Sequence, residues 1–133
     1  MGRANLARVA VAAALSLAFL GCSKSATGTS NPYTVEYLIT PASMYFTLIT
    51  YTDQNGQSVS VGDLSTFSSG AKSLSVSTKP FDAKISTVMN NTSVNAVAYT
   101  LTILVDGQVK TVTNGSAPPG DASYTTSAEF VVQ

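Results

Sequence analysis

Apolar and polar residues alternate with a period of two along most of the chain from Tyr33 onward. β-Branched and aromatic side chains dominate these stretches, which is typical of strands that bury one face. The 3.6-residue spacing that indicates an amphipathic helix is nearly absent. The pattern therefore predicts an all-β domain without long helices.

Turn-forming residues divide this region into seven or eight short strands. The strands are predicted over 33–40, about 44–52, a return strand through Val59 and Val61, 73–77, 81–87, a hairpin over 96–113, and a last strand over 124–132. Asp106-Gly107, flanked by alternating apolar residues, predicts a two-residue hairpin turn. Short strands at this spacing predict a single antiparallel two-sheet β-sandwich, with a small closed barrel as the alternative topology.

Alternate positions within the strands are assigned to the inner face of the sandwich. They are Tyr33, Val35, Tyr37 and Ile39 in the first strand, Phe81, Ala83, Ile85 and Thr87 before the 90–95 turn, Val97, Tyr99, Leu101, Ile103 and Val105 in the hairpin, and Tyr124, Thr126, Ala128, Phe130 and Val132 at the end. Loops are predicted over 114–121 and over 63–72, where Leu64 and Phe67 cover one end of the core.

The second strand differs from the others because it is apolar on both faces. Phe46 and Leu48 are predicted on one side, and Tyr45, Ile49 and Tyr51 on the other. Strands that are buried on both faces carry near-continuous apolar runs. The pattern therefore predicts a central position for this strand in its sheet.

The first 22 residues follow a different plan. Arg3 and Arg8 precede an apolar run that ends at Cys22. The run is shorter than the about 20 residues that a transmembrane helix needs, so it predicts a secretory signal peptide. Its end, FLGC at 19–22, resembles the bacterial lipobox. That resemblance implies cleavage between Gly21 and Cys22 and lipidation of Cys22; the alternative is a free or buried thiol in an ordinary secreted protein.

The lipobox resemblance divides the chain into three parts. Residues 1–21 are predicted to be a cleaved lipoprotein signal peptide, 22–32 the lipidated cysteine with a flexible tether, and 33–133 the sandwich. The expected location is the cell envelope, with the domain outside the cytoplasm and anchored to a membrane by its lipid. Ser23, where lipoproteins retained at the inner membrane carry aspartate, implies the outer membrane if the cell is Gram-negative.

Composition narrows the classes of function. Without 1–21, the chain keeps five lysines against seven acidic residues and so a net charge of −2, which gives no basic patch for nucleic acid. It has no histidine and one cysteine, so Ser–His and Cys–His catalytic pairs, His or Cys metal sites and intrachain disulfides are all excluded. We therefore expect no catalytic site, no metal and no cofactor; a catalytic pair of carboxylates is the one enzymatic arrangement left open.

Three further patterns each allow two interpretations. Asp53-x-Asn55-Gly56, with Asp63 nearby, is favoured as a turn over a calcium loop, because it lacks the twelve-residue spacing of an EF-hand. The triplets at 91–93 and 114–116 match the acceptor sequence for N-glycosylation, but beside a bacterial lipobox they are interpreted as turns. The tyrosines either complete the core with hydroxyls at its rim, which we favour, or form a carbohydrate or lipid platform; they are Tyr33, Tyr37, Tyr45, Tyr51, Tyr99 and Tyr124.

Three segments carry a family resemblance: YTVEY at 33–37, ITYTDQNG at 49–56 and ILVDGQV at 103–109. Together they resemble the MmpS family, small accessory proteins of mycobacterial lipid and siderophore exporters. The resemblance implies an immunoglobulin-like β-sandwich outside the membrane and a role beside a transporter. The chain differs from that family in its lipobox, since MmpS proteins keep an uncleaved helix, and in lacking their cysteine pair and Pro-Trp segment.

Two functions are therefore predicted as alternatives. The first is a non-catalytic, membrane-tethered interaction or assembly module that binds an envelope protein or glycan through its loops or an edge strand. The second, which the MmpS resemblance implies, is an accessory subunit of a resistance-nodulation-division transporter that handles lipid-like or siderophore cargo. The ligand-binding residues cannot be assigned from the pattern of the sequence.

Overall fold

Eight strands and one short 3-10 helix make up the computed structural model, which describes residues 28–43 and 45–133. The strands are β1 (Gly28–Thr40), β2 (Phe46–Thr52), β3 (Ser58–Val61), β4 (Ala71–Lys79), β5 (Phe81–Met89), β6 (Val97–Val105), β7 (Gln108–Ala117) and β8 (Tyr124–Val132), and the 3-10 helix is Leu64–Thr66. The predicted signal peptide lies outside the described residues. Within the described ranges, no helix is long and apolar enough to cross a membrane.

The strands pair into two antiparallel sheets of four strands each. The first sheet has the order β4-β1-β6-β7, and the second has the order β3-β2-β5-β8. The hairpins β2–β3 and β6–β7 stay within one sheet, whereas the other connections pass between the sheets. The prediction of a single antiparallel two-sheet β-sandwich with seven or eight strands is confirmed.

The period of two in the sequence explains how the sheets pack. The predicted inner residues are buried in the core; they are Tyr33, Val35, Tyr37 and Ile39 in β1, Phe81, Ala83, Ile85 and Thr87 in β5, Tyr99, Leu101, Ile103 and Val105 in β6, and Thr126, Ala128 and Val132 in β8. Val97, Tyr124 and Phe130 are partly buried against them. Burial of each large apolar side chain contributes about 1.5–3 kcal/mol to folding, so the core between the sheets stabilises the domain.

β2 lies between β3 and β5, so its predicted central position is confirmed. A register shift with β5 between Phe46 and Leu48 marks a β-bulge. A bulge adds a residue to one strand and re-aims the side chains beside it. Phe46 is therefore buried with Ile49, whereas Leu48 is 41% exposed. The prediction that Phe46 and Leu48 share a face is wrong.

Two predicted boundaries are wrong because strand pairing extends beyond the apolar pattern. β1 begins at Gly28, opposite Lys79 of β4, so the predicted tether over 22–32 includes the start of a strand. β7 continues to Ala117, so the predicted loop over 114–121 begins only after that residue. Backbone hydrogen bonds between strands need no apolar side chain. These polar residues therefore show no alternation that would reveal the strand.

The antiparallel order places the connections at two opposite ends of the sandwich. The end that we call the N-terminal end carries the start of β1, the β2–β3, β4–β5 and β6–β7 connections, and the end of β8. The end that we call the loop end carries the connections that follow β1, β3, β5 and β7. β1 is 13 residues long, or about 40 Å at 3.3 Å per residue, so the loop end lies far from Gly28.

Candidate functional site

The predicted lipidation site Cys22 and the cleavage position at Gly21 lie outside the described residues, and both stay predictions. The structure adds the position of the element that follows them. β1 begins at Gly28, six residues after Cys22. Six residues extend at most about 20 Å. Any group attached to Cys22 therefore lies within about 20 Å of the N-terminal end of the sandwich.

The Asp53 segment forms a tight turn between β2 and β3. Asp53 Oδ1 accepts hydrogen bonds from the backbone N–H groups of Asn55 and Gln57, both at 2.9 Å. Gly56 has a φ of +76°, a conformation that glycine adopts without strain. The turn interpretation is confirmed. Within 28–43 and 45–133, no group of three acidic, histidine or cysteine side chains is placed to hold a metal ion.

Other carboxylates also cap local backbone groups. Asp63 Oδ1 accepts from Ser65 N at 2.8 Å at the start of the 3-10 helix, and hydrogen bonding by the Ser65 side chain and backbone lowers the pKa of Asp63. Asp106 Oδ1 accepts from Thr34 N at 2.8 Å, which ties the β6–β7 turn to β1. Capping explains why these acids occur at turns.

The tyrosines complete the core, as the favoured interpretation predicts. Tyr33 and Tyr37 are 7% and 0% exposed, and their hydroxyls donate to the carbonyls of Thr78 at 2.7 Å and Thr52 at 2.9 Å. Burial raises the pKa of Tyr37, and burial together with the Asp106 charge raises the pKa of Tyr33. Their rings face the interior, so these tyrosines do not form an exposed platform.

An aromatic row leads from the core to the loop end. The Tyr37 and Tyr51 ring centroids are 5.9 Å apart, and the Tyr51 and Phe67 centroids are 5.7 Å apart in an edge-to-face arrangement. The Lys72 ammonium lies 5.8 Å from the Tyr51 ring centroid. Phe67 is 3% exposed and Leu64 packs partly buried against the core. The prediction that Leu64 and Phe67 cover one end of the core is confirmed.

Beside this aromatic row the loop end carries a groove with a volume of about 440 Å³. We call it the loop-end groove; its lining consists of Ala42, Ser43, Phe46, Asp63, Leu64, Phe67, Ser69 and Gly70. Buried Phe46 and Phe67 give it an apolar floor. Asp63, Ser43 and Ser69 supply polar groups. A mostly apolar concavity of this size with a few polar groups is typical of a binding site.

Backbone geometry fixes one wall of the loop-end groove. Ser69 and Gly70 have φ values of +53° and +83°, and Ser68 pairs with Ala71 across this tight turn. Ile39 N donates to Gly70 O at 2.8 Å, which fastens the turn to the end of β1. Sequence reasoning missed the groove, because its walls come from loops that follow two different strands. The Ser-Ser-Gly run at 68–70 is the local signal of the turn.

Several buried polar side chains lie inside the loop end. Asn91 is fully buried, and the Tyr99 hydroxyl donates to Thr126 Oγ1 at 2.9 Å. Gly115 leaves the space for that hydroxyl, since a Cβ atom there would overlap it. Thr87 Oγ1 is buried without a hydrogen-bond partner in the described part of the chain. The sequence predicts Asn91 only as a turn residue, and no pattern indicates its burial.

Comparison with known proteins assigns no family to the chain. No protein-family model matches it, and no curated protein is significantly similar to it in sequence. A proposal for its function therefore rests on the residues of this chain and on their geometry. They offer the loop-end groove at one end of the sandwich and the start of β1, six residues after Cys22, at the other.

Proposed function

We propose that this protein is a non-catalytic cell-envelope lipoprotein, tethered to a membrane through lipidated Cys22, whose sandwich binds an envelope protein at the loop-end groove. The observation that carries this proposal is the position of the groove, at the end of the sandwich opposite the start of β1. A partner can reach the groove while the other end of the domain is held near the membrane.

The N-terminal sequence supports the anchor. Arg3 and Arg8, the apolar run and Gly21-Cys22 resemble a lipoprotein signal. Each buried methylene of an acyl chain contributes about 0.8 kcal/mol, and stable attachment needs more than one chain, which lipoprotein maturation supplies. Ser23 favours the outer membrane if the cell is Gram-negative.

The lining of the loop-end groove indicates the chemistry of its partner. Half-buried Leu64, beside buried Phe46 and Phe67 in the lining, offers an apolar surface, and exposed Asp63 offers a carboxylate that is ionised at neutral pH. An apolar side chain next to a lysine or arginine would match both features, because the first fills the groove and the second pairs with the carboxylate. We therefore propose a protein segment of this composition as the occupant.

The chemistry around the groove supports binding rather than catalysis. Among the described residues of its lining, Asp63 is the one titratable group. Acid–base or nucleophilic catalysis needs a nucleophile with a base, or two placed carboxylates. The chain also lacks histidine, which is the commonest general base.

Replacing Cys22 with alanine is expected to release the protein from the membrane or to block its maturation, while the sandwich stays folded. The substitution removes the chain's one thiol but lies six residues before β1. Membrane fractionation with intact-mass measurement checks this, and Ser25→Ala is the matched control. An unmodified Cys22 in the mature wild-type protein, or a processed mutant that is bound as firmly as the wild type, would contradict the anchor.

A photo-cross-linking amino acid in place of Ala42 is expected to capture a discrete envelope protein in intact cells. Ala42 is exposed and lines the loop-end groove. The control position is Ser127, which is exposed on the outer face of the second sheet. No adduct at Ala42, or the same adduct at both positions, would argue against the groove as the binding site. An adduct with a transporter subunit would support the accessory role that the MmpS resemblance implies.

A further inference from the structure

An apolar patch lies on the outer face of the first sheet, away from the core. Val109 and Val112 of β7 are 59% and 49% exposed. Leu104 of β6 and Leu38 of β1 lie beside them and are half-buried. We call these four side chains the first-sheet patch. Single apolar side chains on a surface need no explanation, but neighbouring ones on one face form a patch that another apolar surface can cover.

A β-bulge brings Val109 and Val112 to the same face. Leu104 lies opposite Val109 and Thr102 lies opposite Val112, and residues that lie directly opposite each other share a face. The register shift leaves Lys110 as the extra residue of β7. In a regular strand, residues three apart face opposite sides. The bulge is therefore what joins the two valines into one patch.

On the outer face of the second sheet, Leu48 lies opposite half-buried Val88, and Val131 lies opposite Asp82. Leu48 and Val131, each 41% exposed, lie on β2 and β8 with β5 between them. The ion pair between Lys84 and Glu129, 3.3 Å apart, is half exposed on this face. The first sheet, whose neighbouring Val109 and Val112 are 59% and 49% exposed, therefore offers the larger apolar surface for contact with lipid.

The first-sheet patch is within reach of the membrane that the anchor implies. Leu104 pairs with Glu36 of β1, which lies eight residues, or about 25 Å, beyond Gly28. Cys22 precedes Gly28 by six residues, at most about 20 Å. If β1 lies parallel to the bilayer, the patch and the start of β1 are at the same height and both contact the membrane surface. With β1 upright, the patch would stand about 25 Å higher.

We propose that the first-sheet patch lies on the lipid surface to which Cys22 is attached, so that the sandwich lies flat with its first sheet against the bilayer. This inference rests on the proposed lipid anchor. Because the anchor already holds the domain at the surface, a small apolar contact is enough to select one orientation. Glu36, opposite Leu104 on this face, and Lys110 at the bulge carry opposite charges. The loop-end groove and the second sheet stay open to a partner.

Single-tryptophan reporters test this orientation, because the chain contains no tryptophan of its own. Val109→Trp and, as the matched control, Val131→Trp are made in the full lipidated protein and reconstituted into phosphatidylcholine vesicles that contain brominated lipid. We expect quenching to lower the Val109→Trp fluorescence by about twofold or more and to leave that of Val131→Trp nearly unchanged. Circular dichroism checks folding, and Val112→Trp replaces the first reporter if that variant does not fold.

Vesicle flotation distinguishes failure of the anchor from failure of the orientation. Protein that does not float with the vesicles would contradict the proposed anchor. Protein that floats without quenching of Val109→Trp, or with equal quenching of Val131→Trp, would overturn the flat orientation. A blue-shifted but unquenched Val109→Trp would indicate that a protein surface, such as a second copy of the chain, covers the patch, and would overturn the orientation as well.

Discussion

Replacing Asn91 with alanine is expected to lower the free energy of unfolding by about 3–5 kcal/mol. The Asn91 side chain is fully buried, and the two N–H donors of its Nδ2 group are shared among the carbonyl oxygens of Asn95 at 2.9 Å, Ala117 at 3.0 Å and Pro118 at 2.9 Å. Its Oδ1 accepts from the Ser93 backbone N–H at 3.0 Å and from the Ser93 hydroxyl at 2.7 Å. Truncation removes these hydrogen bonds, and the carbonyl of buried Ala117 loses its Asn91 donor, which is destabilising.

The position of Asn91 makes this loss larger than that of an ordinary turn residue. Its amide joins the β5–β6 connection to the end of β7, so one side chain holds two loops of the loop end together. The matched control is Asn114→Ala, because Asn114 is exposed on β7 and accepts one hydrogen bond, from Thr100 Oγ1 at 2.7 Å. We expect that control to change the free energy of unfolding by about 1 kcal/mol or less.

Urea denaturation followed by circular dichroism measures both Asn91→Ala and Asn114→Ala. The free energy of unfolding falls linearly with urea concentration. If both variants have the same slope, the difference between their midpoints gives the difference between their free energies of unfolding. If the two variants lost similar stability, Asn91 would not be the connection that holds the loop end, and the account of that end would be wrong.

The strands and their inner faces could be predicted because local chemistry determines them. Tyr33, Tyr37 and Ile39 are buried because alternate residues of a strand face the same side. Asp106 and Gly107 form the β6–β7 turn with φ values of +50° and +75°, which this dipeptide adopts more readily than most. Such features depend on a few neighbouring residues, so the sequence is enough to predict them.

The bulges could not be predicted, because each depends on a partner strand. Phe46 and Leu48 read as one face of a regular strand, but the register with β5 separates them. A regular strand would place Val109 and Val112 on opposite faces, but the register with β6 joins them. The partner of the first bulge lies about 40 positions away in the chain, and the partner of the second lies across a turn. The spacing of apolar residues in one strand does not reveal its register with another strand.

The candidate site was predictable only in part, for the same reason. Leu64 and Phe67 are the large apolar residues in a polar stretch, and both cover the core as predicted. The loop-end groove depends in addition on Ala42, which follows β1, and on the turn that contains Gly70. These loops meet because the two sheets stack. Lipidation of Cys22 stays a prediction from the sequence.

Replacing Gly70 with alanine is expected to lower the free energy of unfolding by about 3–5 kcal/mol. Gly70 has a φ of +83°, which costs an alanine about 1–2 kcal/mol. A Cβ atom at this position would also lie 2.5 Å from the backbone oxygen of Ile39 and 3.2 Å from Ala42 Cβ. The Ile39 oxygen belongs to a strand of the core and cannot move aside without disturbing β1.

Gly56→Ala is the matched control that separates these two effects. Gly56 has nearly the same φ, +76°, but a Cβ atom there would meet nothing within 4 Å. The control should therefore lose only about 1–2 kcal/mol, which is the backbone strain alone. The difference between the two urea midpoints then measures the contact with β1. Equal losses would show that the Gly70 turn can move away from Ile39, in which case the wall of the loop-end groove would be deformable rather than fixed.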